Sequence, residues 1–215
     1  TLFLHSAFPP QPSGMGFKIR IARRTSVLQD ALGLLNRRYR QRGYGFQTLT
    51  LSPERMTIVA YENKQVTGTL TVQLDRGHGL LSDECFQEQL DGFRARGASL
   101  CEFTKLATAP HAPTPATLAS LFHVAFIFAH QISHATHAVV EVNPRHVAFY
   151  TRVLGFSAHG APQSNPRVKA PGVLLVADGH DLSRECKPCV ATLGHLAGMK
   201  SAPQHALAVD RACWQ

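Results

Sequence analysis

The sequence predicts an α/β fold: a mixed central sheet flanked by helices, with an extra helix between the third and fourth strands and a C-terminal appendage. Three observations predict it. Apolar runs of strand length alternate along the chain with apolar stripes at helical spacing. Met56 to Glu62 and Val66 to Asp75 flank the turn pair Asn63-Lys64 and read as a hairpin. Leu118 to Ile132 is apolar nearly all round, the pattern of a buried helix.

Each element follows in order. After an N-terminal extension of residues 1–16, Phe17 to Ala22 alternates apolar and polar residues and reads as the first strand. Ser26 and Gln29 have the spacing of a capping box, and Val27, Leu28, Ala31, Leu32, Leu35 and Tyr39 form a helix stripe behind it. Arginines crowd the end of that helix before Gly43, where cations meet the negative end of the helix dipole. Beyond the hairpin, Gly77 to Gly79 form a loop. Leu81 to Arg96 then reads as a helix capped by Ser82 or Asp83, with Phe86, Leu90 and Phe93 on one face. Ser99 to Thr108 is the central strand. Thr114-Pro115 supplies a cap and a proline at the first helical position of the buried helix.

Ala138 to Val142 is a short buried strand ended by Asn143-Pro144, because proline is tolerated in the first helical turn and nowhere later. His146, Phe149, Tyr150 and Val153 recur at helical spacing, and Gly155 sits where a left-handed cap ends that helix. Phe156 resumes an apolar strand, and Pro171 to Ala177 is the last one. The domain is expected over residues 17–182. Residues 183–215, part helical around Val190 to Leu196, read as an appendage.

The formal charge of +8 calls for an anionic partner, yet no zinc-finger spacing, RNA-recognition signature or long Lys/Arg tract accompanies it. Nucleic acid is therefore set aside in favour of an acidic protein or an anionic small molecule. The basic residues concentrate between Lys18 and Arg42, with a second group at Arg145, Arg152, Arg167 and Lys169. Five cysteines, scattered and odd in number, argue for reduced thiols in a chain too large to need staples. The lone Cys186-Lys-Pro-Cys189 reads as a turn rather than a metal or redox site. His123 and His130 interrupt the most apolar helix, so no membrane span is expected, and Thr1 to Pro12 lack the pattern of a secretion signal. These features lead to a cytoplasmic protein as the expectation.

Two residues invite chemistry. Glu102 lies inside an otherwise apolar strand, which is costly unless the charge is paired. Strand alternation puts Glu102 and Thr104 on one face and Phe103 and Lys105 on the other, unless a bulge intervenes. One reading pairs Glu102 with an arginine of the Arg37 to Arg42 group. The other makes it a base whose pKa burial raises toward neutrality, and the two do not exclude each other. Tyr150 is either a core tyrosine with its hydroxyl on the backbone or a proton donor.

The run Val142-Asn-Pro-Arg-His-Val-Ala-Phe-Tyr-Thr-Arg-Val-Leu-Gly-Phe156 resembles the second half of a GNAT acyltransferase fold, and matches the pattern of the N-acyl amino acid synthases. Gly79-Leu-Leu-Ser-Asp-Glu84 and Glu102-Phe-Thr-Lys105 are similar to segments of that family. The Glu102 strand also resembles that of acyl-homoserine-lactone synthases. The resemblance spans roughly Arg20 to Ala177 and is weakest at its N-terminal end. It implies transfer of a fatty acyl chain from the phosphopantetheine thioester of an acidic acyl carrier protein to the α-amine of a free amino acid, with no metal and no permanently bound cofactor.

On that resemblance Glu102 takes the ammonium proton and Tyr150 protonates the leaving thiolate, a transfer open to a phenol of pKa near 10 facing a thiol of about 8.5. The thioester sits in the gap between the fourth and fifth strands, lined by Thr104, Lys105, Leu106 and Ala107, with an N–H near Leu106 or Ala107 on its oxygen. Phe149 joins the substrate-binding set. Asn143 either holds the pantetheine amides or only starts the helix. Arg37 and Arg40 border the channel, and Tyr44 and Phe46 belong to a mobile aromatic loop. Coenzyme A-dependent relatives carry a glycine-rich loop before the buried helix, whereas Ala109 to Thr117 has no glycine and three prolines. That departure suits a donor without the nucleotide end. The alternatives are a coenzyme A-dependent N-acetyltransferase, an acyl-homoserine-lactone synthase, and a non-catalytic module binding lipid or carrier protein.

Overall fold

In the computed structural model, residues 17–110 and 115–179 are described. The extension 1–16, the Thr114 cap and the appendage with Cys186 and Cys189 lie outside them. The chain runs through β1 (Phe17–Ile21), α1 (Thr25–Arg40), β2 (Arg55–Glu62), β3 (Gln65–Leu74), α2 (Asp83–Ala95) and β4 (Leu100–Thr108). It continues through α3 (Pro115–Phe126), β5 (His137–Val142), α4 (Val147–Leu154), β6 (Ser157–Ala158), β7 (Gln163–Asn165) and β8 (Ala170–Asp178). A π-helical stretch, Ile127–Ile132, prolongs α3, and a 3-10 turn, Pro144–His146, precedes α4.

The sheet is eight-stranded in the order β1-β2-β3-β4-β5-β8-β6, with β7 also on β8. Among the described strands only β4 and β5 are parallel; their neighbours pair antiparallel, so the sheet is mixed as expected. Alternation along the strands divides the core. Leu70, Val72, Cys101, Phe103, Val140 and Leu175 face α3 and α4, with Leu121, Phe122, Ala125 and Tyr150 packed over them. On the other face, α1 lays Leu34 and Leu35 over Ala107, and α2 lays Phe86 and Leu90 over Leu100, Val139 and Leu174. This is the GNAT architecture with the extra helix α2 between β3 and β4.

Local details depart from expectation for physical reasons. The Ser26 capping box does not form. The helix starts at Thr25, and Arg24 at the cap position makes no side-chain cap bond. Ser82 does precede α2, yet its hydroxyl is directed to Glu102 instead of the helix N–H groups. The apolar strand expected at Phe156 is only the two residues of β6. The short β7 carries no apolar alternation and is invisible to that signal. The hairpin turn and the last helix follow expectation: Asn63 and Lys64 both have positive φ, and Gly155 closes α4 at φ 71°.

Candidate active site

β4 and β5 pair over three registers only, Leu100 with His137, Cys101 with Ala138 and Glu102 with Val139. Beyond Glu102 the β4–β5 pairing stops, and among the described residues the rest of β4 has no strand partner on the β5 side. A bulge on β4 lies just past that point. Thr71 faces Thr104 and Thr69 faces Ala107, so Lys105 and Leu106 together oppose Leu70. Lys105 absorbs the extra residue at φ 54°.

The bulge corrects the expected facing of Lys105. Its Nζ donates to the Thr48 carbonyl at 2.5 Å, in the loop after α1, on the same side as Glu102. Desolvation lowers its pKa, aided by Arg55, and the Glu102 charge opposes the shift. Thr104 keeps its predicted face, beside Thr71, which bonds Thr57 across β2 and β3 at 3.0 Å.

Glu102 is 2% exposed and has no arginine in ion-pair contact among the described residues. The expected Arg37–Arg42 partner is replaced by the segment entering α2. Leu81 N–H donates to Oε2 at 2.7 Å, Ser82 N–H to Oε2 at 3.3 Å, and the Ser82 hydroxyl to Oε1 at 2.7 Å. That segment is itself pinned. Asp83 Oδ2 accepts from Leu80 N–H at 2.6 Å, and Arg94 ties Asp83, Asp75 and Asp91 together at 2.7 Å each. Gly79, at φ 75°, has no Cβ to meet Asp83, which a side chain would approach at 2.9 Å. Burial outweighs the three donors, and the Glu102 carboxyl is pushed up to about 7.

Tyr150 lies on the opposite face, edge-on to Phe122, Phe149 and Phe156, with centroids at 6.0, 5.4 and 5.8 Å. No protein group among the described residues bonds its hydroxyl. Burial raises its pKa, and the Tyr39 phenol of α1 raises it further. Tyr39 in turn is pushed up to about 12 by burial first, with Tyr44 and Glu102 adding to it and Arg42 and Arg167 opposing. Tyr44 stands edge-on to Tyr39 at 5.4 Å.

Sequence reasoning missed three members of this constellation. By its spacing Tyr39 belongs to the α1 stripe. Glu141 interrupts the apolar β5 just as Glu102 interrupts β4, so the same signal was available. Arg167, between β7 and β8, had none beyond its charge. It donates to Glu141 Oε2 at 2.9 Å and to the Leu81 carbonyl, and lies 3.2 Å from Glu84.

The remaining predicted residues divide. Leu106 packs toward the α3 face and Ala107 toward α1, flanking the opening. Phe149 is half-buried against Phe122. Asn143 accepts from Arg145 N–H at 3.3 Å, the bond of a helix start. Arg37 is not brought to Glu102. It lines a 920 Å³ groove between α1 and the β2–β3 hairpin, which reaches Ala109 and Pro110. Arg40 lies over the Phe46 ring at 5.0 Å, and Phe46 is 79% exposed. Part of the Ala109–Thr117 loop falls outside the described residues. Among the described residues there is no acidic, His or Cys cluster suited to a metal, and no helix long and apolar enough to cross a membrane.

Comparison with known proteins follows the same lines. Residues 30–178 match the family described as N-acyl amino acid synthase FeeM. The solved structure of FeeM, an N-acyl amino acid synthase from uncultured soil microbes, superposes with a TM-score of 0.72 at 24% identity, covering 80% of this chain and 94% of that one. The acyl-homoserine-lactone synthase LasI is similar at TM-score 0.59 and 15% identity over 90% of this chain and 100% of its own. An acyl-CoA N-acyltransferase from Pseudomonas aeruginosa follows at TM-score 0.53 and 15% identity, over 76% and 99%. No curated protein sequence matches.

Proposed function

The chain belongs to the N-acyl amino acid synthase FeeM family and is an N-acyltransferase of the GNAT fold; from that premise we propose that it moves a fatty acyl group from the phosphopantetheine thioester of acyl carrier protein to the α-amine of a free amino acid. One observation carries the reading: β4–β5 pairing ends at Glu102 and Val139, with a buried carboxylate on one side of the opening and a buried phenol on the other.

In this reading Glu102 takes a proton from the acceptor ammonium, and a carboxyl near 7 is suited to accept it at neutral pH. The freed amine attacks the thioester carbonyl while a β4 N–H at Leu106 or Ala107 holds the developing oxyanion. The C–N bond forms and the C–S bond breaks. Tyr150 protonates the departing thiolate, and the second amine proton restores the phenol. Lys105 makes no ion pair among the described residues and shares the face of Glu102, so its ammonium receives the acceptor's α-carboxylate. The glycine-free loop after Thr108 and the formal charge of +8 support a protein-borne arm over a free nucleotide donor.

The test is turnover of the purified protein with long-chain acyl carrier protein, the matching acyl-coenzyme A and acetyl-coenzyme A, each with an amino acid mixture. Products are read by mass spectrometry. N-acyl amino acid from the carrier-borne donor is expected. Product from the coenzyme A donors alone overturns the donor assignment, and a homoserine lactone product overturns the acceptor.

A further inference from the structure

We infer that Arg167 is a positioning residue that sets the basicity of Glu102 through the single peptide joining Leu81 to Ser82. The Arg167 Nη1 donates to the Leu81 carbonyl, and the N–H at the other end of the same peptide, that of Ser82, donates to Glu102 Oε2 at 3.3 Å. In a trans peptide the C=O and N–H point in opposite directions, so a cation on one end and an anion on the other polarise it in the same sense. The Leu81 N–H and the Ser82 hydroxyl, both at 2.7 Å, complete the shell.

The guanidinium is built into this position from three elements. From β5, Glu141 Oε2 accepts its Nη2 at 2.9 Å, and from the start of α2, Glu84 lies 3.2 Å from Nη1. Asn165, 5% exposed at the end of β7, accepts from the Arg167 N–H at 2.9 Å and donates to Glu141 Oε1 at 2.6 Å. Gly172 leaves room for Glu141, since a Cβ there would fall 2.2 Å from Oε1. Glu84 and Glu141 set two carboxylates against the one guanidinium, so what Arg167 offers Glu102 is chiefly the directed dipole of the Leu81–Ser82 peptide.

The other charged or titratable groups around Glu102 are Lys105 and Cys101 of β4 and Tyr39 of α1; Gln73 of β3 and Val139 of β5 are its uncharged strand neighbours. Arg167 acts in the lowering direction on the Glu102 carboxyl, against the burial that raises it. Removing it leaves burial less opposed.

This inference rests on the catalytic reading of Glu102 for its consequence, not for its measurement. The experiment is a carbon-13 titration of Glu102, assigned by difference from Glu102→Gln, in the full chain without substrate. The wild type is compared with Arg167→Lys and with the pair Arg167→Met, Glu141→Gln, in which no carboxylate of β5 is left unmatched. The midpoint is expected to rise from about 7 by about one pH unit in the pair and by less in the lysine variant. The acid limb of kcat/KM should move with it, with the acceptor KM unchanged. An unmoved midpoint in both variants overturns the inference. If the pair fails to fold, Arg167→Lys decides alone, an unmoved midpoint again overturning it. Full turnover by Glu102→Gln would overturn the catalytic reading and leave the titration result standing.

Discussion

The Ser82 hydroxyl donates to Glu102 Oε1 across 2.7 Å, so the residue placed to cap α2 instead serves the buried carboxylate of β4. Turnover should therefore rise with pH through about 7, as Glu102 loses its proton. Ser82→Ala should move that limb to higher pH by about one unit, since a hydrogen bond to a charged group is worth roughly 1.5–3 kcal/mol and one pKa unit about 1.4. Glu102→Gln should abolish the limb and lower kcat by about 10²- to 10³-fold. The measurement is kcat/KM against pH, and a wild-type profile flat from pH 5.5 to 8 would contradict it.

The same carboxyl makes stability depend on pH. It is raised from 4.5 to about 7 in the fold, so between those values the folded chain holds a proton that the unfolded chain has released. Its stabilising contribution is complete below the unfolded value and is lost as pH rises through the folded one. The loss is on the order of 3 kcal/mol at pH 8 relative to pH 4. In urea denaturation, Glu102→Gln should lack this decline and exceed the wild type above pH 7.

Tyr150 separates ring from hydroxyl. Tyr150→Phe keeps the edge-on contacts to Phe122, Phe149 and Phe156, so stability should change little while kcat falls about 10- to 10³-fold. Tyr150→Ala empties the aromatic cluster and should cost about 3–5 kcal/mol as well. Thermal melts beside initial rates distinguish the two, and equal rates for Tyr150→Phe and wild type would remove the proton-donor role.

Lys105 carries a prediction about the acceptor. Lys105→Met should raise the acceptor KM about tenfold or more with a smaller effect on kcat, because it removes the charge offered to the α-carboxylate. An amine lacking that carboxylate should be used equally by both proteins. A KM unchanged for the amino acid would assign Lys105 to the bulge alone.

The charge of +8 predicts salt-sensitive donor binding. Affinity for acyl carrier protein should fall as salt rises from about 50 to 500 mM, as the screening length shrinks to a few ångströms. Titration calorimetry across that range checks it, and salt-independent affinity would remove the electrostatic half of the donor argument.

Much of the fold was legible because period and punctuation carried it. The Asn63-Lys64 hairpin, the largely apolar α3 and the Gly155 cap each follow from local sterics and burial. Glu102 was legible as an anomaly, a charge in an apolar strand. Its partners were not, because the donors come from Leu81 and Ser82, twenty residues and more away in sequence and mostly backbone. Plain alternation gives Lys105 the other face; the bulge that the sequence reading allowed for reverses it, and its presence leaves no mark in alternation. Arg37 and Arg40 came from family likeness; Arg37 lines the groove beside α1 and Arg40 lies over the Phe46 ring, neither in contact with Glu102.

By itself the sequence determined most of the segments that become strands and helices, though not β7, and that a buried carboxylate and a buried tyrosine would need an explanation. These depend on neighbours a few residues apart, and side-chain period records them. Tertiary structure alone decided that β4 and β5 part after Glu102, that the bulge turns Lys105 to the same side, and that Arg167 reaches the Leu81 carbonyl from beyond β7. Those are relations between backbones far apart in the chain, set by how the sheet twists and where its pairing ends, and no local pattern encodes them.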